Sequence, residues 1–237
     1  MANFGSFWVG KPLSKLEHTA LASFIYHGHT FTLYVYDMNL AVPDGVVKKD
    51  ANEMIPESEI FKVDNSYGPF ADLFRYRMMS KADLIWTDTD SICLRSDWDF
   101  GDYLFGYEEP GKLANGILKM PRNSKLTESL IDESVRFDKT KIVWSEIGPE
   151  LVTRLAKELN LLEYAQEPKV FYPVHFWQWK KIWDKKYLKE ILDLCDGSHT
   201  LQIWNQFLNR NNIDKNDLPP GSAIEYFYNK FVTKLIQ

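Results

Sequence analysis

The chain has 237 residues, of which 45% are hydrophobic and 26% are charged, and its formal net charge is −5. These are the proportions of a globular protein, so they exclude a disordered chain, and the acidic balance argues against general nucleic-acid binding. The apolar runs are too short to span a bilayer, no signal peptide is visible, and two cysteines make no disulfide framework, so we expect a cytoplasmic protein without a transmembrane segment.

The N-terminal part of the chain has the pattern of an α/β fold. Residues 6–9 predict a short apolar strand, and apolar residues at helical spacing follow over 14–27, where Ser14 and Glu17 occupy the positions of a capping box. The β-branched and aromatic residues at 29–37 predict a second strand. A strand–helix–strand unit of this length implies parallel strands joined by a right-handed crossover.

The next elements surround a pair of aspartates. Residues 38–67 are polar and rich in turn residues, which predicts a loop with short irregular elements. Pro69 suits the start of a helix that continues to about Lys81. The apolar stretch 84–87 predicts a short strand, and the apolar character resumes at 92–94.

The C-terminal part of the chain is mainly helical in pattern. Residues 149–162 form an amphipathic stripe, and a second amphipathic helix is predicted from Ser222 onwards. No internal repeat or linker is visible. We therefore expect a single α/β domain whose C-terminal third decorates it.

Asp88 and Asp90 directly follow the predicted strand at 84–87. Alternate residues of an extended chain point the same way, and the carboxyl end of a strand in an open α/β sheet faces the ligand crevice. Two converging carboxylates repel each other unless a cation lies between them, and Mg²⁺ or Mn²⁺ accepts such oxygen ligands. This pattern favours a divalent-metal site, with a solvated turn as the alternative.

Several segments resemble those of retaining DXD-motif glycosyltransferases. Residues 70–95 (FADLFRYRMMSKADLIWTDTDSICLR) resemble the signature SDxxRYxxLxxxGGxYxDxDxxxL, and residues 6–37 resemble the opening WIGxxLSxxExxxxxSFxxHGHxxxLYxY. Later segments of this group are similar to IGPELVT (147–153), LQIWN (201–205) and PPGSAIEYF (219–227). The group includes α-1,4-galactosyltransferases, capsular-polysaccharide and initiating mannosyltransferases, and the glucosylating clostridial toxins.

The resemblance implies a GT-A type fold, that is, a Rossmann-like mixed sheet flanked by helices, with a helical C-terminal elaboration. It implies one domain over residues 1–237, with a nucleotide-sugar-binding half at about 1–100 and acceptor-side and C-terminal elements at about 101–237. The implied activity is Mn²⁺- or Mg²⁺-dependent hexosyl transfer, with retention, from a nucleoside-diphosphate sugar, most often UDP-linked. The acceptor would be a glycan, a lipid-linked glycan or another hydroxyl compound.

The resemblance also implies roles for individual residues. Asp90 would coordinate the metal directly, and Asp88 would reach the ribose and the metal. Arg75 and Asp72 would grip the phosphate and sugar of the donor; the alternative for this pair is a surface ion pair on one helix face. Trp8 would stack on the nucleobase. The implied catalytic residues are Asp88, Asp90 and Arg75, and the implied donor site comprises Trp8, Val9, Asp72, Arg75, Trp86, Thr89, Asn115 and Trp204.

Two departures from the family pattern affect the expected site. The family histidine of the xHxWN motif is Gln202 here, so Gln202 or the nearby His199 is the expected additional metal ligand. Trp204 keeps its place, and its indole N–H is expected to contact the diphosphate. The glycine pair before the DXD motif is replaced by Asp83 and Leu84.

Other functions remain open at this point. One alternative is a divalent-metal phosphohydrolase with Asp88 as nucleophile, and another is a non-catalytic module that binds sugar nucleotides or glycans. The aromatic and basic segment 171–183 suits stacking on an acceptor sugar, contact with a membrane surface that would make the protein peripheral, or simple core packing.

Overall fold

The computed structural model describes residues 1–143 and 145–233, and within these residues the fold is mixed α/β. A seven-stranded sheet is flanked by helices, and a two-stranded ribbon and further helices follow it. In chain order the strands are β1 (Asn3–Trp8), β2 (Thr30–Val35), β3 (Val46–Asp50), β4 (Ile85–Thr87), β5 (Ser91–Cys93), β6 (Leu104–Glu109), β7 (Lys112–Lys119), β8 (Ala165–Gln166) and β9 (Thr200–Gln202). The α-helices are α1 (Lys15–Tyr26), α2 (Gly68–Lys81), α3 (Lys125–Ser134), α4 (Leu151–Glu158), α5 (Pro168–Phe171), α6 (Leu188–Cys195), α7 (Asn205–Arg210) and α8 (Ala223–Phe231).

The strand order of the main sheet is β3-β2-β1-β4-β7-β6-β8. Strands β3, β2, β1 and β4 run parallel, whereas β7 is antiparallel to both β4 and β6. The chain first moves outward from β1 to β3 and then returns to place β4 on the other side of β1. The carboxyl ends of β1 and β4 therefore flank a topological switch point, where open α/β sheets bind their ligands.

The predicted elements of the N-terminal part are confirmed with small shifts in their bounds. Ser14 is the N-cap of α1, and its backbone N–H donates to the Glu17 carboxylate at 2.8 Å, as a capping box requires. Gly28 follows the end of α1 with φ of +79°, the left-handed conformation that favours glycine after a helix. Pro69 lies in the first turn of α2.

Other elements differ from the prediction. The predicted loop at 38–67 contains strand β3 at the edge of the sheet, and the apolar stretch at 92–94 belongs to β5, which pairs with β9 outside the main sheet. The amphipathic stripe at 149–162 forms a shorter helix, α4, because the chain turns at 146–150. The predicted tail helix begins after its N-cap Ser222, and its last positions, 234–237, lie outside the described residues.

The two faces of the sheet carry separate aromatic cores because side chains alternate along each strand. On one face Phe7 of β1 stacks against Phe74 of α2 with ring centroids 4.2 Å apart. On the other face Phe4 packs against Phe24 of α1 at 4.5 Å. This packing holds α1 and α2 on opposite faces of the sheet beside β1. The first turn of α2 lies at the edge of the sheet where β1 ends. In the part of the chain that the structure describes, no helix is long and apolar enough to cross a membrane.

Candidate active site

A cleft of about 810 Å³ opens at the carboxyl ends of β1 and β4. Its walls are formed by the end of β1, the first turns of α2, the turn after β4, strand β7 and the segment 202–215. This edge of the sheet gathers segments that are distant in the sequence. The predicted site residues that line the cleft are Trp8, Val9, Asp72, Arg75, Trp86, Asp88, Thr89, Asp90, Asn115, Gln202 and Trp204.

Asp88 and Asp90 both face this cleft, but a turn rather than an extended chain brings them together. The Ser91 N–H donates to the Asp88 carbonyl at 3.2 Å and closes the turn after β4. The Asp88 carboxylate accepts a hydrogen bond from the Trp86 indole N–H at 2.9 Å. The Asp90 carboxylate is nearly buried and accepts two hydrogen bonds, one of them from the Gln202 amide at 2.9 Å.

The surroundings of the two carboxyl groups favour the neutral form, although the charge of Lys215 lowers the pKa of Asp90. Burial raises the pKa of both groups, and the negative charge of Asp88 raises the pKa of Asp90 further. The Arg75 guanidinium, 3.4 Å from Asp88, opposes the rise of the pKa at Asp88. A divalent cation between the two carboxylates would favour the charged form of both.

Arg75 lies at the centre of a buried polar network beside Asp88. Its guanidinium contacts the Asp72 carboxylate at 3.0 Å, donates to the carbonyl of Asn115 and lies 4.6 Å from the centre of the Trp86 ring. Arg75 is only 4% exposed and Asp72 8%. The alternative of a surface ion pair is therefore wrong, because the pair is enclosed between α2 and the cleft.

The Asp72 carboxylate is also fixed from the side of β7. The Asn115 amide donates to it at 2.6 Å. Burial raises the pKa of Asp72 to about 6, although Arg75 and Asn115 favour the charged form. Gly148 packs so closely that a Cβ atom there would lie 2.6 Å from an Asp72 oxygen and 2.8 Å from the Asn115 amide. The segment before α4 thus holds both side chains in place.

Trp8 lies at the opposite wall of the cleft, at the end of β1. Its indole N–H donates to the Lys11 carbonyl at 2.8 Å, and the Lys215 ammonium lies 5.6 Å from the centre of its ring. The ring is only partly buried, whereas Val9 and Thr89 contribute smaller surfaces to the same cleft. Trp8 therefore offers an aromatic surface beside a positive charge.

The C-terminal motif at 201–205 forms the third wall and differs in detail from the prediction. Gln202, on β9, pairs with Ser91 of β5, whose hydroxyl donates to the Gln202 amide oxygen. The Trp204 indole N–H donates to the carbonyl of Val174 at 2.8 Å. It is therefore engaged within the protein, and the expected contact between this N–H and a diphosphate is not supported.

His199 does not line the cleft. Its ring packs against Trp98 and Phe100, with centroids 5.2 and 4.8 Å away, and its Nε2 donates to the Asp97 carbonyl at 2.9 Å. The hydrophobic contacts hold the ring on the far side of β9. The proposal that His199 ligates the metal is therefore not supported, and Gln202 is the one of the two that lies next to Asp90.

The structure adds Asn205 and Lys215 to the cleft, and it makes Glu17 a partner of both side chains. The backbone N–H of Asn205 donates to the Asp90 carboxylate at 2.6 Å. Lys215 pairs with the carboxylate of Glu17, which is fully buried at the start of α1. Asn205 belongs to the motif at 201–205, which could have drawn attention to it. Glu17 was explained by its role in the capping box, and nothing in the local sequence marks Lys215.

The donor set suits a hard divalent cation. Among residues 1–143 and 145–233, no group of three or more His, Cys, Asp or Glu side chains is placed to hold a metal. The cleft instead combines the carboxylates of Asp88 and Asp90 with amide side chains. The Asn205 amide oxygen is buried, and no donor in the described part of the chain is bonded to it. Carboxylate and amide oxygens are ligands that Mg²⁺ and Mn²⁺ accept, so the residues present fit such an ion.

Comparisons with known proteins agree with the predicted resemblance. Residues 119–231 match a family model described as "Alpha 1,4-glycosyltransferase conserved region". The lactosylceramide 4-alpha-galactosyltransferases of Rattus norvegicus and Mus musculus are 24% and 22% identical over 147 residues, which is 57% of this chain and 40% of each relative. This chain therefore spans about two fifths of the length of the curated relatives it matches.

A solved structure shows that the fold is shared over nearly the whole chain. The PaToxG glycosyltransferase is 12% identical, and the match covers 97% of this chain and 83% of that chain with a TM-score of 0.53. The predicted GT-A type fold and the similarity to α-1,4-galactosyltransferases are confirmed. The family match includes the motif at 201–205, whereas Asp88, Asp90 and Asn115 precede its first residue.

Proposed function

We propose that this chain, which carries an alpha-1,4-glycosyltransferase conserved region, is a metal-dependent retaining glycosyltransferase. It transfers a hexose from a nucleoside-diphosphate sugar, most simply a UDP-sugar, to a hydroxyl acceptor. The observation that carries the proposal is the convergence of Asp72, Arg75, Asp88 and Asp90 on one cleft at the switch point of the sheet. A carboxylate pair, a buried guanidinium and an aromatic wall match the diphosphate, the sugar and the base of such a donor.

In this proposal different residues of the cleft bind the base, the diphosphate and the sugar of the donor. Trp8 stacks on the base, because its ring is partly open at the end of β1. Asp88 and Asp90 hold the Mn²⁺ or Mg²⁺ ion, which supplies positive charge to the diphosphate leaving group. Asp72, oriented by Asn115, accepts a hydrogen bond from a sugar hydroxyl.

Arg75 supports the charge that develops on the leaving group. Its guanidinium is already desolvated and fixed by Asp72 and Asp88, so no reorganisation is needed when the glycosidic bond breaks. Electrostatic stabilisation by preorganised groups is the main source of rate enhancement in such a site. The nucleotide-sugar half of the domain thus corresponds to about residues 1–100, together with Asn115.

The acceptor is proposed to enter from the side of the C-terminal elements. Phe176 and Phe207 line the cleft there and stack with ring centroids 5.9 Å apart. The relatives are named lactosylceramide 4-alpha-galactosyltransferases, after a glycosylated lipid. For this chain we propose a glycan or a lipid-linked glycan as the acceptor class.

The experiment that tests this function follows the phosphorus products. Purified protein is incubated with a panel of sugar nucleotides and Mn²⁺ after a thermal-shift screen has selected the donor that stabilises the protein most. Glycosyl transfer, or slow donor hydrolysis, releases a nucleoside diphosphate only when the metal is present. Release of inorganic phosphate would instead indicate a phosphohydrolase with Asp88 as nucleophile, and stabilisation without any product would indicate a binding module.

Replacing Trp8 by alanine is expected to raise the KM for the donor about tenfold with a smaller change in kcat, since stacking on a base contributes about 1–3 kcal/mol. Stacking is present in the ground state and the transition state alike, so its loss weakens binding more than chemistry. The matched control is Trp177→Ala, because Trp177 is 57% exposed and does not line the cleft. An unfolded Trp8→Ala protein, or equal effects of both variants on the donor KM, would contradict the assignment.

A further inference from the structure

The side-chain oxygen of Asn205 is buried, and no hydrogen-bond donor reaches it from residues 1–143 or 145–233. Asn205 is the first residue of α7 and lines the cleft, and its backbone N–H donates to Asp90 at 2.6 Å. A buried acceptor without a partner costs free energy, and native structures contain few of them. This oxygen therefore lacks the partner that a buried acceptor needs. The backbone N–H of the same residue is bonded to Asp90, one of the two aspartates of the cleft.

The orientation of the Asn205 amide is set by its neighbours. Its NH₂ group faces the Glu17 carboxylate at 3.4 Å, and a carboxylate can only accept hydrogen bonds. Glu17 is itself fully buried and is paired with Lys215, so it does not move aside easily. The amide oxygen is consequently the end of the side chain that is left for another partner.

The backbone before Asn205 is held in an uncommon conformation. Trp204 has φ of +62° and ψ of +50°, the left-handed region that a tryptophan rarely adopts. This conformation turns the chain from β9 into α7 and brings the Asn205 N–H to Asp90. Strained residues of this kind persist where the surrounding structure requires them, and they are frequent at ligand sites.

Gln202 is a poorer source of a ligand oxygen than Asn205. Its amide oxygen already accepts from the Ser91 hydroxyl, and its NH₂ group points to Asp90. The Gln202 oxygen already uses one of its two lone pairs for the Ser91 hydroxyl, and the hydrogen bond to Asp90 holds its amide in place, whereas no donor among the described residues occupies the Asn205 oxygen.

From this geometry we infer that the Asn205 side-chain oxygen is the third protein ligand of the divalent cation, together with Asp88 and Asp90. The inference rests on the proposed function, because it uses the same metal site. Gln202 then acts as a positioning residue that orients Asp90. A neutral amide oxygen adds a ligand without adding a third negative charge beside Glu17 and the two aspartates.

The test measures Mn²⁺ binding rather than activity, by following the loss of the electron paramagnetic resonance signal of free Mn²⁺ with UDP present. Asn205→Ala is expected to weaken Mn²⁺ binding at least tenfold, because it removes the ligand oxygen. Asn205→Asp is expected to bind Mn²⁺ more tightly than Asn205→Ala but less tightly than the wild type, because one carboxylate oxygen replaces the ligand while the other faces the Glu17 carboxylate. Both variants keep the backbone N–H that holds Asp90. Asn229→Ala, at an exposed position of α8 outside the cleft, is the matched control and should bind Mn²⁺ like the wild type.

The outcomes separate this inference from the proposed function. If the wild type binds Mn²⁺ and Asn205→Ala binds it equally well, the inference is overturned and the metal site of Asp88 and Asp90 stands. If Asn205→Asp binds no better than Asn205→Ala, the side chain serves only to pair with Glu17, which also overturns the inference. A wild type that binds no Mn²⁺ with UDP overturns both. If thermal unfolding shows that Asn205→Ala does not fold, Asn205→Ser, which keeps a polar group at the helix start, takes its place.

Discussion

Replacing Asp90 by asparagine is expected to lower the rate of transfer about a hundredfold to a thousandfold, the range found when one electrostatic group that stabilises the transition state is removed. Asparagine offers one neutral oxygen, and its NH₂ group would oppose either the Gln202 amide or the Asn205 N–H, both of which are donors. The change therefore removes a negatively charged metal ligand and places an N–H donor opposite another N–H donor. Steady-state release of nucleoside diphosphate at saturating Mn²⁺ measures the effect.

The fold is expected to survive this substitution, because burial already disfavours the charged form of Asp90. Thermal unfolding without metal checks this point. Asp193→Asn is the matched control, since the Asp193 side chain is 65% exposed in a surface pair with Lys189. Turnover of Asp90→Asn close to that of the control, at any Mn²⁺ concentration, would remove Asp90 from the metal site.

Replacing Arg75 by lysine is expected to cost about a hundredfold in kcat/KM, although the positive charge is kept. The planar guanidinium contacts Asp72, Asp88, the Asn115 carbonyl and the Trp86 ring together. An ammonium group is compact and cannot reproduce this set of contacts. The Asp72 carboxylate, which is buried, would lose part of its hydrogen bonding and the sugar hydroxyl would lose its fixed partner.

The same substitution at Arg154 provides the comparison. Arg154 pairs with Glu133 and Glu158 and its side chain is 46% exposed, so Arg154→Lys is expected to change neither activity nor the melting temperature measurably. Donor kinetics and thermal unfolding of both variants decide the matter. Equal activity of Arg75→Lys and Arg154→Lys would show that the buried network serves stability alone.

The position of the cleft could be predicted from the sequence because its signals are local. Ser14 with Glu17 and Pro69 mark the starts of two helices, and Asp88 directly follows an apolar strand. Each signal depends on residues no more than a few positions apart. The parallel arrangement of β1 and β4 then places these segments at one edge of the sheet.

Elements with weak local signals could not be predicted. Strand β3 reads VVKKD, because an edge strand exposes much of its surface and needs no alternation of apolar residues. Strands β6 and β7 pair with each other, and bulges at Gly106 and Glu109 interrupt their register. The sequence pattern of a strand depends on which of its faces is buried. In these strands the packing of the whole domain determines the buried face, so the local sequence does not predict it.

Contacts between segments that are distant in the sequence could not be predicted either. Lys215 and Glu17 are 198 residues apart, so the local sequence of neither residue indicates that the two side chains form an ion pair. The Trp204 indole N–H is bound by the Val174 carbonyl, and His199 is enclosed by Trp98 and Phe100. Only the tertiary structure shows that the motif at 201–205 presents Gln202 and Asn205 to Asp90.

Proton NMR of the first-formed product tests the central claim, metal-dependent transfer with retention, most directly. The reaction contains the selected sugar nucleotide, an acceptor sugar and Mn²⁺, and the anomeric proton coupling of the product is compared with that of the donor. We expect a product with the anomeric configuration of the donor, together with free nucleoside diphosphate, and neither of them without the metal. A product of inverted configuration, or inorganic phosphate in place of the nucleoside diphosphate, would contradict it.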